Sequence, residues 1–174
     1  MSFIQNSNTA RVFAPGYFLA ADAENCTRET REMKQTDATT LSDGTKIVKM
    51  GTAYPANDGT AEGIVYEDID VTSGNMPGSV VTKGIVYEDR LAVTSVDYQA
   101  VTPETGDNPK EKGWYERSGS AGSYVYTLTD DTTVQDGTTY YKAVDVRMSA
   151  TAKTALEGKG FKFIATAPTV TRPY

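Results

Sequence analysis

Glu62-Gly63-Ile64-Val65-Tyr66-Glu67-Asp68-Ile69-Asp70-Val71-Thr72 and, beyond the turn formers Ser73-Gly74-Asn75-Met76-Pro77-Gly78, Ser79-Val80-Val81-Thr82-Lys83-Gly84-Ile85-Val86-Tyr87 decide the fold class. Both runs are rich in β-branched and aromatic residues and bounded by residues that break regular structure, which is the pattern of strands. The short connection makes them antiparallel neighbours. The hexapeptide Gly-Ile-Val-Tyr-Glu-Asp occurs in each run, at Gly63–Asp68 and Gly84–Asp89, 21 residues apart. Two copies fall short of the repeats a solenoid needs to bury a core, so the repetition reads as two similar strand contexts.

Upstream, Ser42-Asp43-Gly44 is a turn, Thr45–Lys49 alternates like a strand that stops at Gly51, and Pro55–Gly59 is a loop. Cys26–Thr40 reads as a solvated strand, although Arg28–Lys34 also fits a short charged helix. Tyr17–Ala21 fits a short strand, and residues 1–16 read as an extended arm with isolated apolar points. Downstream, Thr102–Lys112 is a cluster of loop formers. It introduces three short strands, Gly113–Arg117, Tyr124–Thr129 and Thr138–Lys142. Met148–Glu157 predicts one short helix, with Ser149 as N-cap and Gly158 or Gly160 as stop, and Phe161–Ala165 alternates like a last strand. With 25 Thr and 11 Tyr, the whole predicts a mainly β fold with one short α-helix.

The chain has 174 residues, enough for one core domain plus a small appendage. Its net charge of −6 gives no electrostatic footprint for nucleic acid. The absence of histidine removes Ser-His-Asp and Cys-His nucleophile systems and imidazole metal sites. A single cysteine, Cys26, closes no internal disulfide and builds no thiolate metal site. The N-terminus lacks a basic region followed by an apolar stretch, so a product made in the cytoplasm is expected. Val12–Ala21, the longest apolar run, is about ten residues and is broken by Pro15 and Gly16, where a membrane span needs roughly twenty. The glycosylation sequon at Asn25-Cys26-Thr27 then has no secretory route to use it.

Paired acids at Glu67-Asp68, Glu88-Asp89 and Asp130-Asp131 could run general acid/base chemistry if they lined a cleft, but adjacent acids at strand ends are usually solvated. Asp68, Asp70 and Asn57-Asp58-Gly59 offer oxygen ligands without the spacing of a calcium loop. No catalytic residue, cofactor or metal is expected, and the chain reads as a non-enzyme. Trp114, Tyr115, Tyr126 and Tyr140, with Tyr124 and Tyr141, fit either an aromatic platform for sugar rings or the core of a small β module.

Lys46–Leu91, containing Gly51-Thr52-Ala53-Tyr54-Pro55-Ala56-Asn57-Asp58-Gly59-Thr60-Ala61-Glu62 ahead of the first copy and Val80-Val81-Thr82-Lys83 ahead of the second, resembles the lambda-type bacteriophage head decoration proteins. Ser149–Ile164 is similar to the short helix and last strand that close that family's domain. The stretch between departs from the simpler members and is similar to a small module of several phage structural proteins: Asn-Pro-x3-Gly-Trp-Tyr-Glu, then Tyr-Thr-Leu-Thr, then Gly-Thr-Thr-Tyr-Tyr.

The resemblance implies a β-tulip-like decoration domain over residues 17–100 and 144–174, interrupted by an inserted module at 101–143; the arm read at 1–16 has no counterpart in it. It further implies a cement protein on the outer surface of the virion, a homotrimer at three-fold sites of the expanded head, stabilising it against DNA pressure. The partner is then the major capsid protein; the arm has no clear match in the family, and from the residues themselves Phe3, Ile4, Arg11, Val12 and Phe13 are expected to grip that partner through strand addition, while charge and run length speak against nucleic acid and membrane. The alternative is a virion-surface or tail-associated module that holds host-surface glycan on the aromatic insertion.

Overall fold

The computed structural model describes residues 15–20 and 26–168. Among the described residues the chain is mainly β, 37% strand against 10% helical, with a single short α-helix. In chain order the elements are β1 (Thr27–Met33), β2 (Thr39–Thr40), β3 (Lys46–Val48), β4 (Ala53–Tyr54), β5 (Gly63–Val65), β6 (Ile69–Asp70), β7 (Met76–Lys83), β8 (Ile85–Tyr87), β9 (Ser95–Ala100), β10 (Tyr115–Ser118), β11 (Val125–Leu128), β12 (Tyr140–Val146), α1 (Ala150–Gly158) and β13 (Lys162–Ile164). They form two compact units, one from the chain up to Val93 together with the chain from Arg147, the other Thr94–Val146.

The first unit is built around an antiparallel sheet in the order β1-β7-β5-β4, whose two inner strands are buried on both faces. Successive side chains on a strand point to opposite faces. Thus Val65 and Val80, directly paired, meet Met33, Val48, Ile69 and Val71 on one side. Ile64 and Val81, the next pair, meet Phe18, Val86, Leu91, Ala152, Leu156 and Phe161 on the other. The first of these cores is closed by the small sheet β2-β3-β6, the second by α1 and the parallel pair β8-β13.

Two of the long strands read from sequence are each divided. The Glu62–Thr72 run becomes β5 and β6 in different sheets: the chain leaves the first sheet after Val65, Asp68 accepts the Met50 N–H at 2.6 Å, and Ile69 pairs with Val48. The Ser79–Tyr87 run breaks at Gly84, whose carbonyl accepts from Lys162 N at 3.0 Å as β8 leaves to pair with β13. Met76–Gly78, read as turn, belongs to β7 and pairs with Arg31–Met33. Its proline stands opposite Glu32, where the ladder can do without an N–H.

Cys26–Thr40 contains the strand β1, not a helix over Arg28–Lys34, because seven residues find partners along β7. In place of the Tyr17–Ala21 strand, Pro15–Phe18 form a turn and Leu19 makes one antiparallel bridge to Val86, while Ala21 lies outside the described residues. The helix begins where Ser149 predicts it: the Oγ accepts the Ala152 N–H at 3.0 Å. It is stopped by Gly160 rather than Gly158. Gly160, at φ +94°, donates to the Glu157 carbonyl and Phe161 to the Leu156 carbonyl, a Schellman end that tucks Phe161 into the core beside Leu156.

The second unit is one antiparallel sheet in the order β11-β10-β12-β9. It is wider than the 101–143 stretch, because β9 before it pairs with β12 from Tyr141 to Val146.

Candidate functional site

In the second unit, strand alternation sorts the aromatics onto two faces. Tyr140 stands opposite Glu116, and Tyr141 opposite Tyr115 and Ala100, so Trp114 and Tyr140 share one face while Tyr98, Tyr115, Tyr126 and Tyr141 share the other.

On the first face Trp114 is 7% exposed and Tyr140 is fully buried, with ring centroids 5.7 Å apart. Pro109 is buried beside this small core in sequence and in hydrogen bonding: its carbonyl accepts from Trp114 N at 3.0 Å. The Tyr140 hydroxyl donates to Asp131 Oδ2 at 2.5 Å and accepts from Gln135 N at 3.1 Å. Burial first, then the hydrogen bond to Asp131, pushes the Tyr140 phenol above its ordinary value. Trp114 and Tyr140 are therefore structural, and the sugar-platform reading loses both: their rings are used up in holding loop to sheet.

On the second face Tyr98, Tyr115 and Tyr126, each half-buried, and the buried Tyr141 pack ring against ring. Tyr98 stacks on Tyr126 with centroids 3.9 Å apart and planes 2° from parallel. Tyr115 meets Tyr98 edge-on at 5.1 Å, and Tyr141 meets Tyr126 edge-on at 5.3 Å. Arg117 lies 4.2 Å from the Tyr124 ring and 5.0 Å from Tyr141. Such pairs add packing energy to a unit whose core is small. Tyr98, which completes the stack, falls before the stretch marked by sequence. Its signal was the alternation Val96, Tyr98, Ala100 on β9.

The paired acids are turned apart to separate structural tasks. Asp68 holds Met50 N, Glu88 Oε1 meets Lys153 Nζ at 2.7 Å, and Asp89 Oδ2 accepts Ala167 N at 2.9 Å. Asp130 meets Lys110 at 3.0 Å while Asp131 takes Tyr140. Nor do the candidate calcium ligands converge. Asn57 Oδ1 accepts from Ser149 N, and Asp58 turns to Thr60, whose hydroxyl and N–H hold its carboxyl below the ordinary aspartate value. Among the described residues no group of three or more acids and cysteines is placed to hold a metal ion, and no helix is long and apolar enough to cross a membrane. Burial pushes the Cys26 thiol up, against the opposing charge of Arg28.

The arm residues Phe3, Ile4, Arg11, Val12 and Phe13 lie outside the described residues. The first unit carries two cores back to back on one sheet, and the second unit has its own aromatic core. Among protein-family models, curated proteins and solved structures, none matches this chain.

Proposed function

We propose that the chain is a bacteriophage capsid decoration protein that trimerises at three-fold sites of the expanded head, on the outside of the virion, and binds the major capsid protein. The observation that carries this reading is the meeting of the two stretches that resemble that family. Lys46–Leu91 and Ser149–Ile164 are separated in sequence by the whole second unit, yet they fold as one body. Ser149 N and Oγ bind Asn57 at 2.9 and 2.8 Å, Lys153 reaches Glu88, and β13 runs parallel to β8. A module inserted into a decoration domain, at a point where the domain closes again behind it, accounts for that arrangement.

A cement protein gains its effect by binding one capsid state in preference to another, so that each occupied site shifts the equilibrium toward the expanded shell. The test is to mix purified protein with expanded heads that lack it and with unexpanded precursor shells, then to count bound copies and locate their density. Saturable trimers at three-fold sites on expanded heads alone support the proposal. Equal binding to both shells, or none to either, refutes it. Removing residues 1–16 abolishes binding if the arm is the grip, whereas removing the whole second unit, Thr94–Val146, leaves binding intact and abolishes adsorption to cells only if the module holds glycan.

A further inference from the structure

Among the described residues β1 is the outer strand of its sheet, and six of its seven residues, Thr27–Glu32, are exposed. Pro77 of β7 stands opposite Glu32 and has no N–H to offer, so Glu32 sits at a wide pair of the ladder, with its own N–H and carbonyl turned away from β7. The same holds, by the two-residue period, for Thr30 and Arg28. In keeping with this, the Glu32 carbonyl is approached instead by the Tyr54 hydroxyl, at 3.4 Å, which leaves a second lone pair. Among the described residues these three therefore present an open row of donors and acceptors, the feature through which edge strands recruit other strands.

The side chains say which strand fits. Read about Thr30, the sequence Arg28-Glu29-Thr30-Arg31-Glu32 is its own electrostatic complement: an antiparallel copy centred there places Arg28 opposite Glu32 and Glu29 opposite Arg31, each pair twice. The backbone register agrees, since Thr30 would face its own copy at a position where both expose N–H and carbonyl.

We propose that β1 is a self-complementary edge through which two copies of this chain pair antiparallel about a two-fold axis at Thr30, extending each sheet into the other. The contact is isologous, as two-fold contacts are. Backbone hydrogen bonds supply the grip and the four ion pairs choose the register, because a slip by two residues sets Arg against Arg or Glu against Glu. On the inner side of that row Glu29 already lies 2.6 Å from Arg31 of its own strand, so the pairing would build a ring of four alternating charges. The inference concerns the free protein and stands apart from the decoration reading, which needs a capsid and a three-fold contact.

The test uses the full chain and two variants, Glu29→Arg and Arg31→Glu, both at exposed positions and both checked for an unchanged melting curve. Sedimentation equilibrium at high protein concentration and low salt is expected to show the wild-type mass doubling with concentration, whatever its basal unit. Each variant alone is expected to lose the doubling, because like charges then face each other across the axis. An equimolar mixture of the two variants is expected to regain it, since each substituted side chain then faces the other and the unchanged Arg31 of one copy faces the unchanged Glu29 of the other. The mixture separates this contact from the pair within one strand, which is broken in both variants. No doubling of the wild type, doubling that persists in either variant, or a mixture that stays apart overturns the proposal and leaves the edge to a different strand.

Discussion

Gly63–Asp68 and Gly84–Asp89 carry the same six residues, yet Ile64 is sealed from solvent while Ile85 is half-buried. The first copy forms β5, an inner strand flanked by β7 and β4 with a core on each face, so Ile64 and Val65 enter different cores. The second forms β8, whose one regular partner among the described residues is β13, and it commits only Val86 to a core. Where the identity ends, the order of apolar and polar residues is reversed: Ile69-Asp70 follows the first copy, Arg90-Leu91 the second. Ile69 turns inward and continues as β6. Arg90 instead lies over the Tyr17 and Tyr87 rings at 4.3 and 4.9 Å, and a single tight turn over Glu88–Arg90 brings Leu91 into the core. A local sequence proposes a strand, and the neighbours decide how many of its faces are buried.

The largest effect expected from this contrast is on the isoleucines. Ile64→Ala removes a fully buried side chain and is expected to cost about 3 kcal/mol, against about 1 kcal/mol for Ile85→Ala. Denaturant unfolding measures the difference. The probe matters, because Trp114 belongs to the other unit; far-ultraviolet circular dichroism, to which α1 contributes, follows the unit that contains both copies. Equal costs would mean that the two copies share one environment after all.

The glycines come next. A Cβ at position 63 would lie 2.4 Å from the Val81 carbonyl oxygen and from a Val80 methyl, whereas at position 84 it would meet nothing nearer than 3.5 Å. Gly63→Ala is expected to destabilise by about 2 kcal/mol through forced overpacking against backbone, and Gly84→Ala to change stability by less than about 0.5 kcal/mol. The same unfolding measurement decides it, and a costly Gly84→Ala would break the distinction drawn between the two strand starts.

A smaller difference is expected between the closing aspartates. Asp68, half-buried, accepts the Met50 N–H at 2.6 Å, while Asp89, exposed, accepts the Ala167 N–H at 2.9 Å. Asp68→Ala is expected to cost about 1.5 kcal/mol, since it strands a donor that water reaches poorly, and Asp89→Ala under about 0.5 kcal/mol. Hydrogen exchange at the Met50 and Ala167 amides checks the local consequence directly.

Much of this architecture was legible because its signals are local. The β-branched runs, the Ser149 cap and the antiparallel relation of β5 to β7 lie within short windows, and the mainly β class follows from them. The divisions of the two long runs were not legible, because they depend on partners distant in sequence. Nothing within Ile85–Tyr87 announces a parallel strand at Lys162–Ile164, and nothing in Glu67-Asp68 announces that Asp68 will be taken by Met50. The aromatic module was visible as a cluster but not as a topology. Alternation along β10 and β12 puts Trp114 and Tyr140 on the face opposite Tyr115 and Tyr141, and that parity divides the aromatics, read as either platform or core, into two separate packing sets.

The smallest expected effect lies two residues past the first copy, where Asp70 matches Leu91 past the second. The Thr72 hydroxyl first, and then its N–H at 2.8 Å, favour the charged carboxylate of Asp70 and hold its titration below the ordinary aspartate range. The folded state therefore binds a proton less readily than the unfolded chain. Linkage makes the resulting stability present above the unfolded value near pH 4 and loses it as pH falls through the lower folded value. Asp70 is exposed, so solvent screens the effect and keeps it small. Asp70→Asn removes the titration without removing the side-chain oxygen, so its deficit against wild type is expected to be measurable at pH 6 and to shrink steadily as the pH is lowered to 3. Leu91 provides the contrast: it carries no titratable proton, and Leu91→Ala is expected to lower stability by the same amount at both pH values, because the isopropyl group lost from the core at the second copy's flank is indifferent to acid. A deficit of Asp70→Asn that stays constant with pH would show that the turn after β6 is held by shape alone, and that the two flanks differ in packing and not in charge.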